Sequence, residues 1–218
     1  SVIKYFDTIS ALYIADGHHR AASASRVQKI KQDANQHHEG NESYNYFLSV
    51  IFPHDEMQIL DYNRVLKDLN GLSVEQFIDL IQSNFNLTTL PNAVKPATRN
   101  VFSMFLNGNW YQLKAKDKIF SNDAVEGLDA SILQNYLLTP ILGIDDPRRD
   151  DRIDFVGGIR GLAELERRCI LDAKVAFAIY PVSIEDLLAV ADANKIMPPK
   201  STWFEPKLRS GLVVRLLD

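Results

Sequence analysis

The chain has 218 residues, 46% of them hydrophobic and 24% charged, with a formal net charge of -4. That length supports one good core or two small ones, and the acidic balance excludes a general nucleic-acid binder, which needs a basic face. A single cysteine, Cys169, excludes an internal disulfide and a cysteine-based zinc site, and no apolar run approaches the ~18 residues of a membrane span.

Taken in chain order, Ala11-Leu12-Tyr13-Ile14-Ala15 is a short apolar run of strand formers ended by Asp16-Gly17. From His19 to about Gln36 the pattern is helical, with Ala21, Ala22, Ala24, Val27 and Ile30 on a face small enough to approach a sheet closely. The polar stretch Asn35 to Glu42 reads as an exposed, mobile loop. Tyr44 to Phe52 is an aromatic and β-branched strand stopped by Pro53, and Glu56 to Tyr62 is another. Ser73-Val74-Glu75-Gln76 is a capping box that opens a helix to about Ser83. Strands over Asn100 to Leu106 and Trp110 to Leu113 flank Asn107-Gly108, a strong hairpin signal. Leu128 to Leu138 is a helix ended before Pro140. Asp145 to Arg152 is a charged, self-paired connection. Then come a strand (Arg152 to Val156), a helix (Gly161 to Cys169), a strand (Lys174 to Tyr180) and a helix capped by Ser183 that runs to Ala193. A Pro-punctuated loop (Met197 to Pro206) and a last strand (Leu212 to Leu217) close the chain. Hairpins mixed with strand-helix alternation predict an α+β fold with a mixed, largely antiparallel sheet and flanking helices. No internal repeat is present.

Two segments carry potential chemistry. In Asp16-Gly17-His18-His19-Arg20, Gly17 permits a sharp turn or close approach of a ligand to the backbone. The following helix offers free N–H groups and a positive dipole end to an anion, and Arg20 can hold two phosphate oxygens. Asp16 could orient a histidine, hold a metal or act as a base, with His18 and His19 beside it. The plain alternative is a helix N-cap with surface histidines; another is a metal site completed by His37 or His38, although adjacent histidines do not share a helix face. The second segment is Met197-Pro198-Pro199-Lys200-Ser201-Thr202-Trp203-Phe204-Glu205-Pro206-Lys207. Lys200, Ser201 and Thr202 set a cation beside two hydroxyls, suited to phosphate or carboxylate, and Trp203 and Phe204 could flank a planar ligand; the plain alternative is an ordered loop with an aromatic anchor in the core. No Walker loop is present, and Gly157-Gly158 with Gly161 reads as a turn before a helix. Arg64, after Asp61-Tyr62-Asn63, is a weaker candidate for lining a pocket. Cys169 reads as a small packed residue.

These two segments resemble the signature of a bacterial and archaeal family of unknown function, DUF1015, from Ile14 to the C-terminus and including Ser210-Gly211-Leu212-Val213. Members are about twice this length, so the resemblance implies that 1–218 is a C-terminal fragment of a longer protein, here expected to fold as a single α+β unit. More distantly, the turn is similar to the ParB/sulfiredoxin superfamily, in which a strand-Gly-x-x-Arg-helix element binds nucleotide phosphates and some members phosphorylate free serine. Sulfiredoxins carry Cys where His18 stands, and ParB proteins add a helix-turn-helix that this sequence lacks.

The resulting expectation is a cytoplasmic phosphate- or nucleotide-binding protein, with ATP or ADP and Mg²⁺ as cofactors. It would be a phosphotransferase on a small metabolite such as serine or phosphoserine, without nucleic-acid or membrane partners. Gly17, Arg20, Lys200, Ser201 and Thr202 would hold phosphate, while Asp16, His18 and His19 would serve catalysis. The alternatives are a non-catalytic, regulatory nucleotide- or metabolite-binding module and a metal-dependent hydrolase using Asp16 and the histidine pair.

Overall fold

The computed structural model describes residues 2–209 and 211–216. By contact, the chain divides into two compact units: one takes the residues up to Gln58 and from Pro206 onward, the other Ile59–Glu205.

The first unit contains α1 (Val2–Phe6), α2 (His18–Ala34) and two 3₁₀ turns, Ser43–Asn45 and His54–Glu56. α2 starts one residue before its expected position, and none of its residues is buried. Three expected strands do not form there. Ala11 to Ala15 is irregular and mostly exposed, Tyr44 to Phe52 is a 3₁₀ turn followed by unpaired chain, and residues 212–216 are likewise unpaired. Leu217, the end of that last strand, and Ser210 lie outside the described residues. A strand exists only as part of a ladder, and β propensity without a neighbouring chain leaves the backbone bonded to water. Accordingly Tyr46, Phe47, Leu48, Val50 and Ile51 are all exposed.

The second unit is built on a six-stranded sheet. In chain order its elements are β1 (Gln58–Leu60, whose first residue is the last of the other unit), β2 (Tyr62–Leu66), α3 (Val74–Ile81), β3 (Phe85–Leu90), β4 (Val101–Leu106), β5 (Asn109–Ala115), α4 (Asp129–Leu133), β6 (Ile153–Gly157), α5 (Leu162–Leu171), β7 (Val175–Ala178), α6 (Ile184–Asp192) and β8 (Trp203–Glu205). The sheet order is β3-β5-β4-β7-β2-β6, and β1 pairs with β8 separately. Every pairing given for the large sheet is antiparallel, so the fold is α+β. Asn107-Gly108 makes the β4–β5 hairpin with both residues at positive φ, as a two-residue turn of this kind requires. The Ser73 and Ser183 capping boxes are both formed, to Gln76 and Asp186 respectively. The helix expected over Leu128 to Leu138 is α only to Leu133 and continues as a π-helical turn, Gln134–Leu138. Three strands were not expected from the sequence: β2, which begins at the last residue of the strand expected over Glu56 to Tyr62; β8, within the expected Met197 to Pro206 loop; and β3, whose polar Asn86-Leu87-Thr88-Thr89 sequence forms a strand because β5 supplies a six-residue ladder.

One face of the sheet carries the larger core, in which Phe77, Ile81, Phe102, Leu133, Leu137 and Phe177 are fully buried. The opposite face packs Val65, Val156 and Ala176 around Leu165 of α5. Trp110 donates from its indole N–H to Glu166 Oε1 at 2.7 Å, which satisfies the polar end of an otherwise buried ring.

Candidate functional site

In the first unit, Gly17 is the N-cap of α2 with φ 85° and ψ 26°, a left-handed conformation that glycine adopts without a Cβ penalty. It provides no side-chain cap; the first helical bond runs from Ala21 N to Gly17 O at 2.9 Å. The amides of His18, His19 and Arg20 therefore have no intrahelical acceptor. The Arg20 side chain folds back over the turn, so that a Cβ on Gly17 would sit 3.2 Å from its Nε and Nη2. Asp16 Oδ1 accepts from Gly17 N at 2.7 Å, and its Oδ2 faces Lys207 Nζ at 3.5 Å. Partial burial pushes the Asp16 carboxyl upward, but the Gly17 amide, Lys207 and Arg20 outweigh it and hold the group below its ordinary value. The turn thus brings together Asp16, Gly17, Arg20 and Lys207, with His18 and His19 exposed on the first turn of the helix. Lys207 was part of the C-terminal motif in sequence but had no assigned role. Its approach to Asp16, 191 residues away, has no local signature.

His37 and His38 do not join the turn. His38 Nδ1 lies 2.9 Å from Tyr44 Oη and 3.1 Å from Glu42 Oε2, and its ring stacks on Tyr44. Glu42 also accepts from the amides of Glu39 and Gly40, so the polar stretch is a carboxylate-centred loop. Among the described residues no three His, Cys, Asp or Glu side chains group to hold a metal ion. A shallow groove of about 640 Å³ in this unit is lined by Phe47, Leu48, Val214 and Arg215 among others, and includes no residue of the turn.

Lys200, Ser201 and Thr202 belong to the second unit. Lys200 has a left-handed backbone, φ 54°, and its exposed ammonium lies 5.6 Å from the centroid of the Tyr62 ring. Ser201 is buried and donates its hydroxyl to Pro198 O at 2.8 Å, closing the turn that presents Lys200. Thr202 is half-buried. Phe204 is in the core, whereas Trp203 stands edge-on to Tyr62 at 5.4 Å. Trp203 lies over Gly157, where a Cβ would meet its ring at 2.6 Å. Gly158 is equally constrained: its amide donates to Asp61 O at 2.7 Å, and a Cβ there would overlap the Asp61 carboxylate. The glycine pair is thus a close-packing device beneath Trp203 and Asp61, which spacing alone could not distinguish from a plain turn. Cys169 is half-buried, and burial raises its thiol to about 11, so it stays protonated at neutral pH.

An α+β chain with a glycine-capped, arginine-bearing helix start is the class that fold and turn define. A family model, "Protein of unknown function (DUF1015)", matches residues 1–131, more than half of the chain. The chain belongs to the DUF1015 family. The match contains the Asp16–Arg20 turn and stops before the Lys200 segment, so it spans less than the resemblance from Ile14 to the C-terminus. Among curated proteins no sequence matches. Solved structures with some likeness include a free serine kinase variant in complex with ADP (TM-score 0.45, 15% identity) and a free serine kinase in complex with AMP (TM-score 0.43, 12% identity). In both, 88% of this chain covers 66% of the other, just under two thirds of its length. A conserved hypothetical protein from Pyrococcus furiosus superposes with TM-score 0.44 at 13% identity, over 88% of this chain and 68% of the other. Superpositions this loose identify neither a shared site nor a shared activity. No helix among the described residues is long and apolar enough to cross a membrane.

Proposed function

We propose that the protein binds a phosphate-bearing small molecule, a nucleotide foremost, at the Asp16–Arg20 turn, as the binding part of a phosphotransferase acting on a small metabolite such as serine. The observation that carries this reading is the packing of the Arg20 guanidinium against left-handed Gly17 at an N-terminus whose amides have no side-chain cap. Backbone donors, the helix dipole and a planar cation then converge on one anion. In this reading His18 or His19 moves a proton or stabilises the group in transfer, and Asp16, held ionised by Gly17, Lys207 and Arg20, orients a neighbour or contacts substrate. Lys200 and Thr202 contribute phosphate contacts in their own unit, with Ser201 fixing the backbone beneath them. Of the strand-Gly-x-x-Arg-helix pattern, the Gly17-x-x-Arg20 spacing at a helix start is the part that forms here, and it accords with this reading. Mg²⁺ accompanying a nucleotide is held by one or two carboxylates plus phosphate oxygens; Asp16 is the carboxylate at the turn that fits, and the ion would supply charge neutralisation on the phosphates.

Isothermal titration of the chain with ADP, ATP and phosphoserine tests the proposal. Micromolar-to-millimolar binding of at least one is expected, weakened about tenfold or more in Arg20→Ala, as loss of a charge-assisted bidentate contact implies. Absence of binding, or unchanged binding by Arg20→Ala, rejects it. Binding without phosphoryl transfer to serine would instead assign a non-catalytic binding module.

A further inference from the structure

We propose that the face of β2 and β6 bearing Arg64, with Lys200 above it, is an oxyanion site that takes a phosphate dianion. The inference rests on the reading of Lys200 as a phosphate-side cation, and is independent of the Asp16–Arg20 turn.

Tyr62 and Arg64 are two residues apart on β2 and so point to the same face. Their register partners on β6 are Gly157 and Phe155. Arg64 retains 4% of its surface. Among the described residues it makes one hydrogen bond, from Nη1 to the carbonyl of its neighbour Tyr62, and no ion pair. Its guanidinium instead lies 5.5 Å from the Phe155 ring centroid. The adjacent carboxylate, Asp61, points to the opposite face with Asn63 and Val65, where Asn63 Nδ2 and Lys95 Nζ engage it at 2.6 and 3.3 Å. Burial lowers the Arg64 pKa to about 10, which leaves the group charged at neutral pH.

No Arg64 nitrogen is both buried and unpartnered, so the donors it does not spend on Tyr62 keep access to solvent, from which an anion can reach them. Lys200 lies over Tyr62, and Tyr62 is 5.7 Å from Phe155. The two cations are therefore linked by a continuous aromatic surface, Tyr62 and Phe155, with Trp203 at its edge. Aromatic faces steady cations without occupying their hydrogen-bond donors. Two positive charges and a planar fork match a doubly charged phosphate better than a single carboxylate.

The test uses the intact chain, labelled with ¹⁵N, with the Arg64 Nε–H signal assigned through its own backbone so that no Arg64 variant needs to fold. Inorganic phosphate is titrated in, with acetate at matched ionic strength as the control. A saturable shift of the Arg64 signal is expected with phosphate and not with acetate. It should persist in Arg20→Ala and need about tenfold more phosphate in Lys200→Gln, a surface variant, as loss of one charge-assisted contact implies. An Arg64 signal indifferent to phosphate overturns the proposal. So does a shift abolished by Arg20→Ala, or one unaltered by Lys200→Gln. Failure of ADP binding at the turn, read by calorimetry on Arg20→Ala, leaves these outcomes untouched.

Discussion

Asp129 is a buried carboxylate whose two oxygens differ. Oδ1 accepts from Asn100 N at 2.8 Å, while buried Oδ2 has no hydrogen-bond partner among the described residues. Burial pushes the group up to about 6, against smaller opposing effects of the Asn100 amide and Arg99, with Asp186 adding repulsion. A folded-state pKa above the unfolded value of 3.8 means that the folded protein binds this proton more tightly. The associated stability is complete below pH 3.8 and is lost as pH rises through 6, amounting to about 2–3 kcal/mol by linkage. Asp129→Asn should flatten that portion of the stability profile between about pH 4 and 6.5, measured by urea unfolding across the range. A wild-type profile already flat there would refute the assignment. At this scale the sequence was uneven. The turn at Gly17 was legible, because glycine takes a left-handed backbone without a Cβ penalty and its φ is 85°. That Arg64 makes no ion pair among the described residues was not legible, since Asp61 is only three positions away. Strand alternation turns the two to opposite faces, and adjacency in sequence conceals this.

Among the elements, the helices that carry both a capping box and a buried stripe were the most legible. Ser73 Oγ accepts from Gln76 N at 3.2 Å, and the Gln76 side chain accepts from Ser73 N at 2.9 Å, while Phe77 and Ile81 fill the core. Ser73→Ala should cost about 1 kcal/mol of stability, visible as a lowered urea midpoint with unchanged slope. A loss of less than about 0.3 kcal/mol would show that packing, not the cap, sets this helix boundary. The β4–β5 hairpin was equally clear, because Asn107-Gly108 determines its turn locally. The three missing strands of the first unit failed for the opposite reason. Val50, Ile51 and Tyr13 have the side chains of a strand, but strand formation depends on a partner that a local window does not contain. The π turn over Gln134–Leu138 was also hidden. Its Gln134 Nε2 bonds to Ile144 O and Thr139 Oγ1, which are tertiary and loop contacts.

For the molecule as a whole, the two units differ in how much apolar surface they remove from water. The six-stranded sheet is covered by fully buried side chains on one face and by α5 on the other, whereas α2 buries none of its residues. Hydrogen exchange should therefore be slowest in β2, β4 and β7 and at least about a hundredfold faster in α2 and residues 46–53, a difference of roughly 3 kcal/mol in local opening. Mass spectrometry of exchanged peptides measures this directly, and uniform protection across both units would contradict it. By itself the sequence determined the α+β class, the capped helices, the Asn107-Gly108 hairpin and the make-up of the Asp16–Arg20 turn, because each depends on residues within a few positions of one another. Tertiary structure alone decided the strand order, the approach of Lys207 to Asp16, the packing of Trp203 over Gly157 and the burial of Arg64 against Phe155. Those features depend on which distant backbone fills each hydrogen-bonding edge and which side chains share a face, and neither is encoded within a local stretch of chain.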